Sequence, residues 1–268
     1  MILDTLAAAS RQRAESAKIT IPFSQMEEMA YMAFEDGNRE CDFSFEKAIS
    51  SPGISFICEV KRASPSKGMI APDFPYREIA MEYEEAGADA ISVLTEPDYF
   101  LGKGEYLTEI SRSVSLPLLR KDFTVDPYQI FEAKVLGSSA VLLICALLDT
   151  ETLKEYMKIC DNLGLSALVE AHDEAEIHSA LTAGARLIGV NNRNLKTFEV
   201  DFENSIRLRG LVPAGTAFIA ESGIQTADDV KRLYQAGVNG VLIGESLMRS
   251  PDKKSILQEM RKAANGIR

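Results

Sequence analysis

The chain has 268 residues, with 29 Lys and Arg against 40 Asp and Glu and a formal net charge of −11. This length accommodates a single barrel of alternating strands and helices, and the acidity argues against nucleic acid or an anionic membrane as the main partner. No apolar run is long enough to span a bilayer and no segment has the pattern of a secretory leader, so the cytoplasm is the expected compartment.

Residues 1–48 differ in pattern from the rest of the chain and are expected to form an N-terminal helical extension packed on it. One helix is expected over Ile2 to Lys18 and another over Ser24 to Phe34, where Ser24 could cap and Glu27 complete a capping box. From residue 49 a unit recurs: an amphipathic stretch, a glycine (Gly87, Gly137, Gly164, Gly184, Gly237), then a short apolar run. The glycine suits the left-handed position past a helix C-terminus, and the unbroken apolar run suits a parallel strand covered on both faces.

Eight strands are expected, at Ile54 to Val60, Ala90 to Leu94, Pro117 to Lys121, Ala140 to Cys145, Ala167 to Glu170, Leu187 to Val190, Ala217 to Ala220 and Gly240 to Ile243. Eight parallel strands with intervening helices close into a (βα)8 barrel of the α/β class, whose chemistry lies at the C-terminal strand ends. Charged residues end these runs, and side chains two apart share a face. Glu59 and Lys61 therefore follow Ile57 inward, Lys121 follows Leu119, Glu170 follows Leu168, Asn191 follows Gly189 and Glu221 follows Ile219. With Arg193, three carboxylates and three cations converge on one mouth, a mixture able to shift pKa values in both directions. Scattered ion pairs at the rim would be the bland alternative, but charge beside a barrel interior is costly without a function.

The last two strands each lead into a turn bearing Gly and Ser, Glu221-Ser222-Gly223 and Gly244-Glu245-Ser246. Barrels often bind phosphate at these two loops. Other candidates are weaker. Gly102-Lys103-Gly104 fits neither a dinucleotide fingerprint nor a P-loop and reads as a flexible loop after the second strand. His172 and His178 have no zinc-ligand spacing and are expected as surface residues on or beside the fifth helix of the repeat. The cysteines, Cys41, Cys58, Cys145 and Cys160, show no C-x-x-C spacing and read as reduced core residues.

The segments Glu59-Val60-Lys61-Arg62 with Ser64-Pro65-Ser66, Leu94-Thr95-Glu96, Arg120-Lys121-Asp122-Phe123, Val169-Glu170, Asn191-Asn192-Arg193-Asn194-Leu195, Ala220-Glu221-Ser222-Gly223-Ile224 and Ile243-Gly244-Glu245-Ser246-Leu247-Met248 stand in this order. Together they closely resemble indole-3-glycerol phosphate synthase over nearly the whole chain. The resemblance implies a TIM barrel with an N-terminal helical extension. The reaction it implies converts 1-(2-carboxyphenylamino)-1-deoxyribulose 5-phosphate to indole-3-glycerol phosphate, with loss of CO2 and water, in tryptophan biosynthesis.

It also implies no metal or organic cofactor, a small-molecule substrate bearing carboxylate and phosphate groups, and a monomer or weak homo-oligomer. Lys121 would be the general acid at the substrate carbonyl and Glu170 an acid/base, while Lys61 would contact the substrate carboxylate or act as a second acid. Glu59, Asn191, Glu221, Arg193, Ser222 and Ser64 would hold or polarise the substrate. Leu94, Phe100, Phe123, Leu142 and Phe198 would wall its ring, and Gly223, Gly244 and Ser246 would take the phosphate. Where the family often has an aromatic residue near the start of the first helix, Leu6 to Ala9 reads Leu-Ala-Ala-Ala. The chain ends soon after the last repeat, which points to the monofunctional form. Phosphoribosylanthranilate isomerase, which typically uses a Cys and Asp pair, is the nearest rival; a non-catalytic phosphate-binding barrel is the other.

Overall fold

Why the apolar runs close into a cylinder is visible in a computed structural model that describes residues 2–36, 43–194 and 197–265. Eight parallel strands, β1 (Ser55–Val60), β2 (Ala90–Leu94), β3 (Leu118–Lys121), β4 (Ala140–Ile144), β5 (Ser166–Ala171), β6 (Leu187–Asn191), β7 (Ala217–Glu221) and β8 (Gly240–Ile243), pair in sequence order. Closure comes from β1, which pairs with both β2 and β8, with Ser55 opposite Gly240 and Ile57 opposite Ala90. Strand limits differ from the sequence expectation by one residue or so at several ends. The five recurrent glycines have φ between 64° and 92°, where a Cβ would strain the backbone.

The two-residue period sorts the strand side chains into two layers. Ile57, Leu119, Leu142, Leu168, Ile219 and Leu242 fill the barrel interior, whereas Phe56, Cys58, Val93, Leu143, Val169 and Phe218 pack outward against the helices. Cys58 and Cys160 are buried free thiols held protonated by that burial, and the half-buried Cys145 is pushed up to about 12 chiefly by the same cause. Cys41 and Leu195 lie outside the described residues.

The N-terminal segment forms α1 (Ile2–Thr20), α2 (Phe23–Asp36) and α3 (Ser44–Ile49). In α1 the buried positions Leu3, Leu6, Ala7, Ser10 and Ala14 follow the helical three-and-four spacing and face the barrel. Ser24 falls inside α2 rather than at its cap, because Phe23 already belongs to the helix and packs edge-on to Phe131 at 5.5 Å. The short α3 was not expected. Its Phe45 and Ile49 are fully buried in the interior cluster, and Glu46 lies beside Ser166 and Arg186 near the starts of β5 and β6. At about 1.5–3 kcal/mol for each large apolar side chain buried, this stopper is a substantial part of the barrel floor.

Along the barrel wall run α4 (Tyr76–Glu85), α5 (Gly104–Ser111), α6 (Tyr128–Val135), α7 (Thr150–Asn162), α8 (Glu174–Ala183), α9 (Glu203–Arg209) and α10 (Ala227–Gln235), followed by α11 (Glu245–Arg249) and α12 (Lys253–Asn265). Among the described residues, no helix is long and apolar enough to cross a membrane.

Candidate active site

With the floor sealed by α3, the inward positions at the upper strand ends open into a cavity of about 1110 Å3. All fifteen site residues expected from the sequence line it: Lys121, Glu170, Lys61, Glu59, Asn191, Glu221, Ser64, Arg193, Ser222, Phe100, Phe123, Leu142, Gly223, Gly244 and Ser246. Leu94 and Phe198 line it as well.

At the centre is Lys121, the last residue of β3. Its Nζ lies 3.0 Å from Glu170 Oε2 and 3.2 Å from Glu221 Oε2. Burial works to discharge this amine, but the charges of Glu170, Glu221 and Glu59 prevail and its pKa rises, so it stays loaded with a proton. The two carboxylates fare differently because one cation serves both. Burial raises each, yet Glu170 is held below the ordinary range by Lys121 and His172, while Glu221 is pushed up to about 7. One firmly ionised carboxylate and one half-protonated near neutrality thus flank a charged amine, the separation that acid and base roles need.

Glu221 can lie across the barrel because Gly189 on β6 has no side chain: a Cβ there would collide with Glu221 Oε1 and meet Leu168 Cδ1 at 3.2 Å. That oxygen is buried without a hydrogen-bond partner, leaving an acceptor aimed at whatever fills the cavity. At the end of β1 Glu59 and Lys61 form an ion pair, and Gly244 leaves room for it, since a Cβ there would sit 2.8 Å from Lys61 Nζ. Asn191 accepts the Arg193 backbone N–H at 3.0 Å, and the Arg193 guanidinium donates to Phe198 O at 3.1 Å.

The apolar side is built by loops. After β2 the chain wraps around Glu96, whose carboxylate accepts the backbone N–H groups of Asp98, Tyr99 and Phe100 at 3.1, 2.8 and 3.0 Å. Gly102 packs against the backbone of Leu94 and Thr95 and donates its N–H to Glu96 O at 2.7 Å, so this loop is a tightly bonded turn rather than the flexible connection expected. The turn presents Phe100, whose ring centroid is 6.2 Å from that of Phe123. Helix α1 secures both loops: Arg13 pairs with Asp98 at 2.6 Å and Glu96 at 3.3 Å, and Ser10 donates to Phe123 O at 2.6 Å. Ile2, Leu3 and Leu6 line the cavity, so the first helix reaches it with aliphatic side chains, in keeping with the Leu-Ala-Ala-Ala run at Leu6 to Ala9.

Past β7, Ser222 (φ 65°) and Gly223 (φ 79°) are both left-handed, and a Cβ on Gly223 would strike Val200 Cγ1 at 2.5 Å. Asn192 Nδ2 donates to Ser222 O at 3.0 Å, and the Ser246 hydroxyl donates to Ile224 O at 3.3 Å, tying the turn after β8 to that after β7. A turn of this kind, placed at the end of a barrel strand, is a concavity whose backbone N–H groups suit an anion. Among the described residues, no group of three or more His, Cys, Asp or Glu is arranged to hold a metal ion.

The histidines separate. His178 is exposed on α8, whereas His172 is not a surface residue: it lies just beyond β5 with its side chain 17% exposed and Nε2 3.5 Å from Glu170 Oε1. The signal was present in the two-residue period, which carries Leu168 and Glu170 inward and continues to His172.

A family model described as indole-3-glycerol phosphate synthase matches residues 3–260. A protein of that name from Ruminiclostridium cellulolyticum is 56% identical over 264 residues, covering 98% of this chain and 100% of the relative. Another of the same name, from Endomicrobium trichonymphae, is 54% identical over 262 residues, covering 97% of this chain and 100% of the relative. Among solved structures, 3-hexulose-6-phosphate synthase from Salmonella typhimurium superposes with a TM-score of 0.66 at 14% identity, over 80% of this chain and 100% of that one, a likeness of fold alone.

Proposed function

Because this chain belongs to the indole-3-glycerol phosphate synthase family, we propose that the charged mouth of its barrel carries out that family's ring closure, decarboxylation and dehydration with Lys121 and Glu170 as the central acid and base. The chain is a carboxy-lyase of tryptophan biosynthesis, acting on a small phosphate-bearing substrate. One observation carries the assignment of roles: a buried lysine held protonated between two carboxylates that differ in ionisation.

The substrate phosphate sits in the joined turns at Gly223, Gly244 and Ser246, with Ser222 beside it. Its anthranilate ring lies against Phe100, Phe123, Leu142, Leu94 and Phe198, and its carboxylate faces Lys61, with Ser64 alongside. Glu59 holds the Lys61 ammonium in place, and Arg193 and Asn191 hold the sugar chain. The ring carbon that bears the carboxylate attacks the ketone. The C=O electron pair moves to oxygen, which takes a proton from Lys121 Nζ, and CO2 then departs, leaving its bonding electrons to restore the ring. In dehydration the new hydroxyl leaves as water with a proton from Lys61 or Lys121, and Glu170 takes the proton from the carbon next to nitrogen. The Glu221 oxygen without a partner accepts a substrate hydroxyl.

Residues 1–48 act in this scheme as a helical extension packed on the barrel, and the enzyme works in the cytoplasm as a monomer or weak homo-oligomer with no cofactor. The test is steady-state production of indole fluorescence from the carboxyphenylamino-deoxyribulose phosphate. Lys121→Ala and Glu170→Gln should each lower kcat by about 10²- to 10⁴-fold while leaving KM near the parental value. Near-parental turnover in both variants would refute the assignment.

A further inference from the structure

The proposed reaction has an unbalanced proton, and the surroundings of Glu170 contain a path that could supply it. Per turnover the site gives one proton to the ketone oxygen and one to the departing hydroxyl, and Glu170 recovers only one from carbon. One proton must therefore enter from solvent, in agreement with a carboxylate leaving as neutral CO2. The substrate fills the main cavity while this happens, so the front of the site is a poor route.

His172 stands behind Glu170. Its Nδ1 lies 3.0 Å from Glu176 Oε2, and that same oxygen accepts the His172 backbone N–H at 2.8 Å, so the first turn of α8 fixes the ring. The His172 carbonyl accepts Asn204 Nδ2 at 3.0 Å, which adds an anchor from α9. With Nδ1–H committed to Glu176, the buried Nε2 has no hydrogen-bond partner and faces Glu170 Oε1 at 3.5 Å. Two lone pairs at that separation repel, so the contact requires a proton on one side, and an approach of about 0.5 Å makes it an ordinary hydrogen bond. His172 also lines a second cavity of about 840 Å3, together with Asp173, Glu176, Asn191 and Arg193.

From this arrangement we infer that His172, positioned by Glu176, is a proton relay that holds a proton at Nε2 and recharges the Glu170 and Lys121 pair with it while substrate occupies the main cavity. The inference rests on the reaction proposed above. In the relay step the His172 Nε2–H bond breaks and a Glu170 Oε1–H bond forms. Glu170 Oε2 accepts from Lys121 Nζ at 3.0 Å, and once Lys121 has given its own proton away a half-turn of the carboxyl group brings the new O–H to the amine, which takes the proton. After product leaves, water entering the main cavity returns a proton to Nε2 by way of the Glu170 carboxyl, so no other reactant is needed.

The groups facing His172 favour its charged form. Glu170 on β5 and Glu176 on α8 adjoin it, Asp173 lies at the turn between them and Glu221 acts from β7. On the far wall of the side cavity the acids Glu199 and Asp201 offset Arg193 and Arg207. Burial opposes the charge, but the Glu176 bond and these carboxylates outweigh it and raise the pKa. Glu170, with His172 beside it as well as Lys121, is in turn kept more ionised than Glu221.

The test compares the parent with His172→Ala and His172→Gln, measuring kcat and KM across pH 6–9 with and without added imidazole, after circular dichroism has verified folding. His172→Ala should lose about tenfold or more in kcat with KM within about threefold. Its kcat should climb with imidazole concentration, while parental kcat stays constant, and His172→Gln should remain slow. Three results would overturn the relay: kcat within twofold of the parent, a loss that imidazole does not restore, or full activity in His172→Gln. An inactive parent would instead refute the proposed reaction.

Discussion

Replacing Gly189 by Ala isolates the placement of one carboxylate from the rest of the site. The backbone at Gly189 is not left-handed, so a side chain is tolerated conformationally, and a strand alanine gains about 0.5–1 kcal/mol over glycine from lower unfolded-state entropy. Its Cβ, however, would occupy the place of Glu221 Oε1, and Leu168 Cδ1 at 3.2 Å blocks the other direction. The carboxylate must move by roughly 1 Å to reach van der Waals separation, which breaks its 3.2 Å contact with Lys121. Overpacking costs about 1–3 kcal/mol, so unfolding stability should fall by no more than about 2 kcal/mol. Turnover should fall about 100-fold, the usual consequence of a 1 Å misplacement in a preorganised site. Indole fluorescence gives the rate and urea unfolding the stability. In a Glu221→Ala background there is no carboxylate to displace, and Gly189→Ala should then lower kcat by less than about threefold. An equal loss in both backgrounds would show that Gly189 acts otherwise than through Glu221; parental turnover in the single variant would refute the geometry itself.

The ionisation of Glu221 predicts a stability profile. Its folded pKa of about 7 lies above the ordinary 4.5, so the native state binds more protons than the unfolded state between those values, and stability falls as pH rises through that window. Glu221→Gln should remove that decline and gain up to about 3 kcal/mol on the parent between pH 5 and pH 8, read from urea midpoints; identical pH dependence in the two proteins would contradict it. Arg13→Ala strips the fully buried Glu96 of its cation and frees the turn that carries Phe100. Stability should drop by about 1–3 kcal/mol, with KM raised several-fold and kcat within about threefold; an unchanged KM would detach the α1 latch from substrate binding.

The inner face of the barrel was legible because a strand side chain has only two directions. Placing Ile57, Leu119, Leu168 and Ile219 inside forced Glu59, Lys121, Glu170 and Glu221 into the same column, and the structure places them so. His172 obeys the same parity, but it follows the last apolar residue of its run, a place the sequence alone assigns to the surface on or beside the next helix. Features set by tertiary docking were less visible. Nothing local in Ser44–Ile49 distinguishes a six-residue stopper from a loop, and the approach of Leu3 and Leu6 to the cavity depends on how α1 lies across two loops. The Ser24 cap failed for a local reason: Phe23 gains enough from packing on Phe131 to extend the helix past it.

The stopper formed by Phe45 and Ile49 divides the tolerance of this chain along its length axis. Cohesion is concentrated at the floor and in the interior layer directly above it, where apolar residues fill the space. The rim, with buried charges and an acceptor lacking a partner, contributes reactivity at the expense of cohesion. A pool of variants randomised only at rim positions would therefore retain folded members while its chemistry diverged, and one randomised at the floor would lose solubility before its selectivity changed. The same division makes the floor the place to add stability in advance of any change of substrate at the rim.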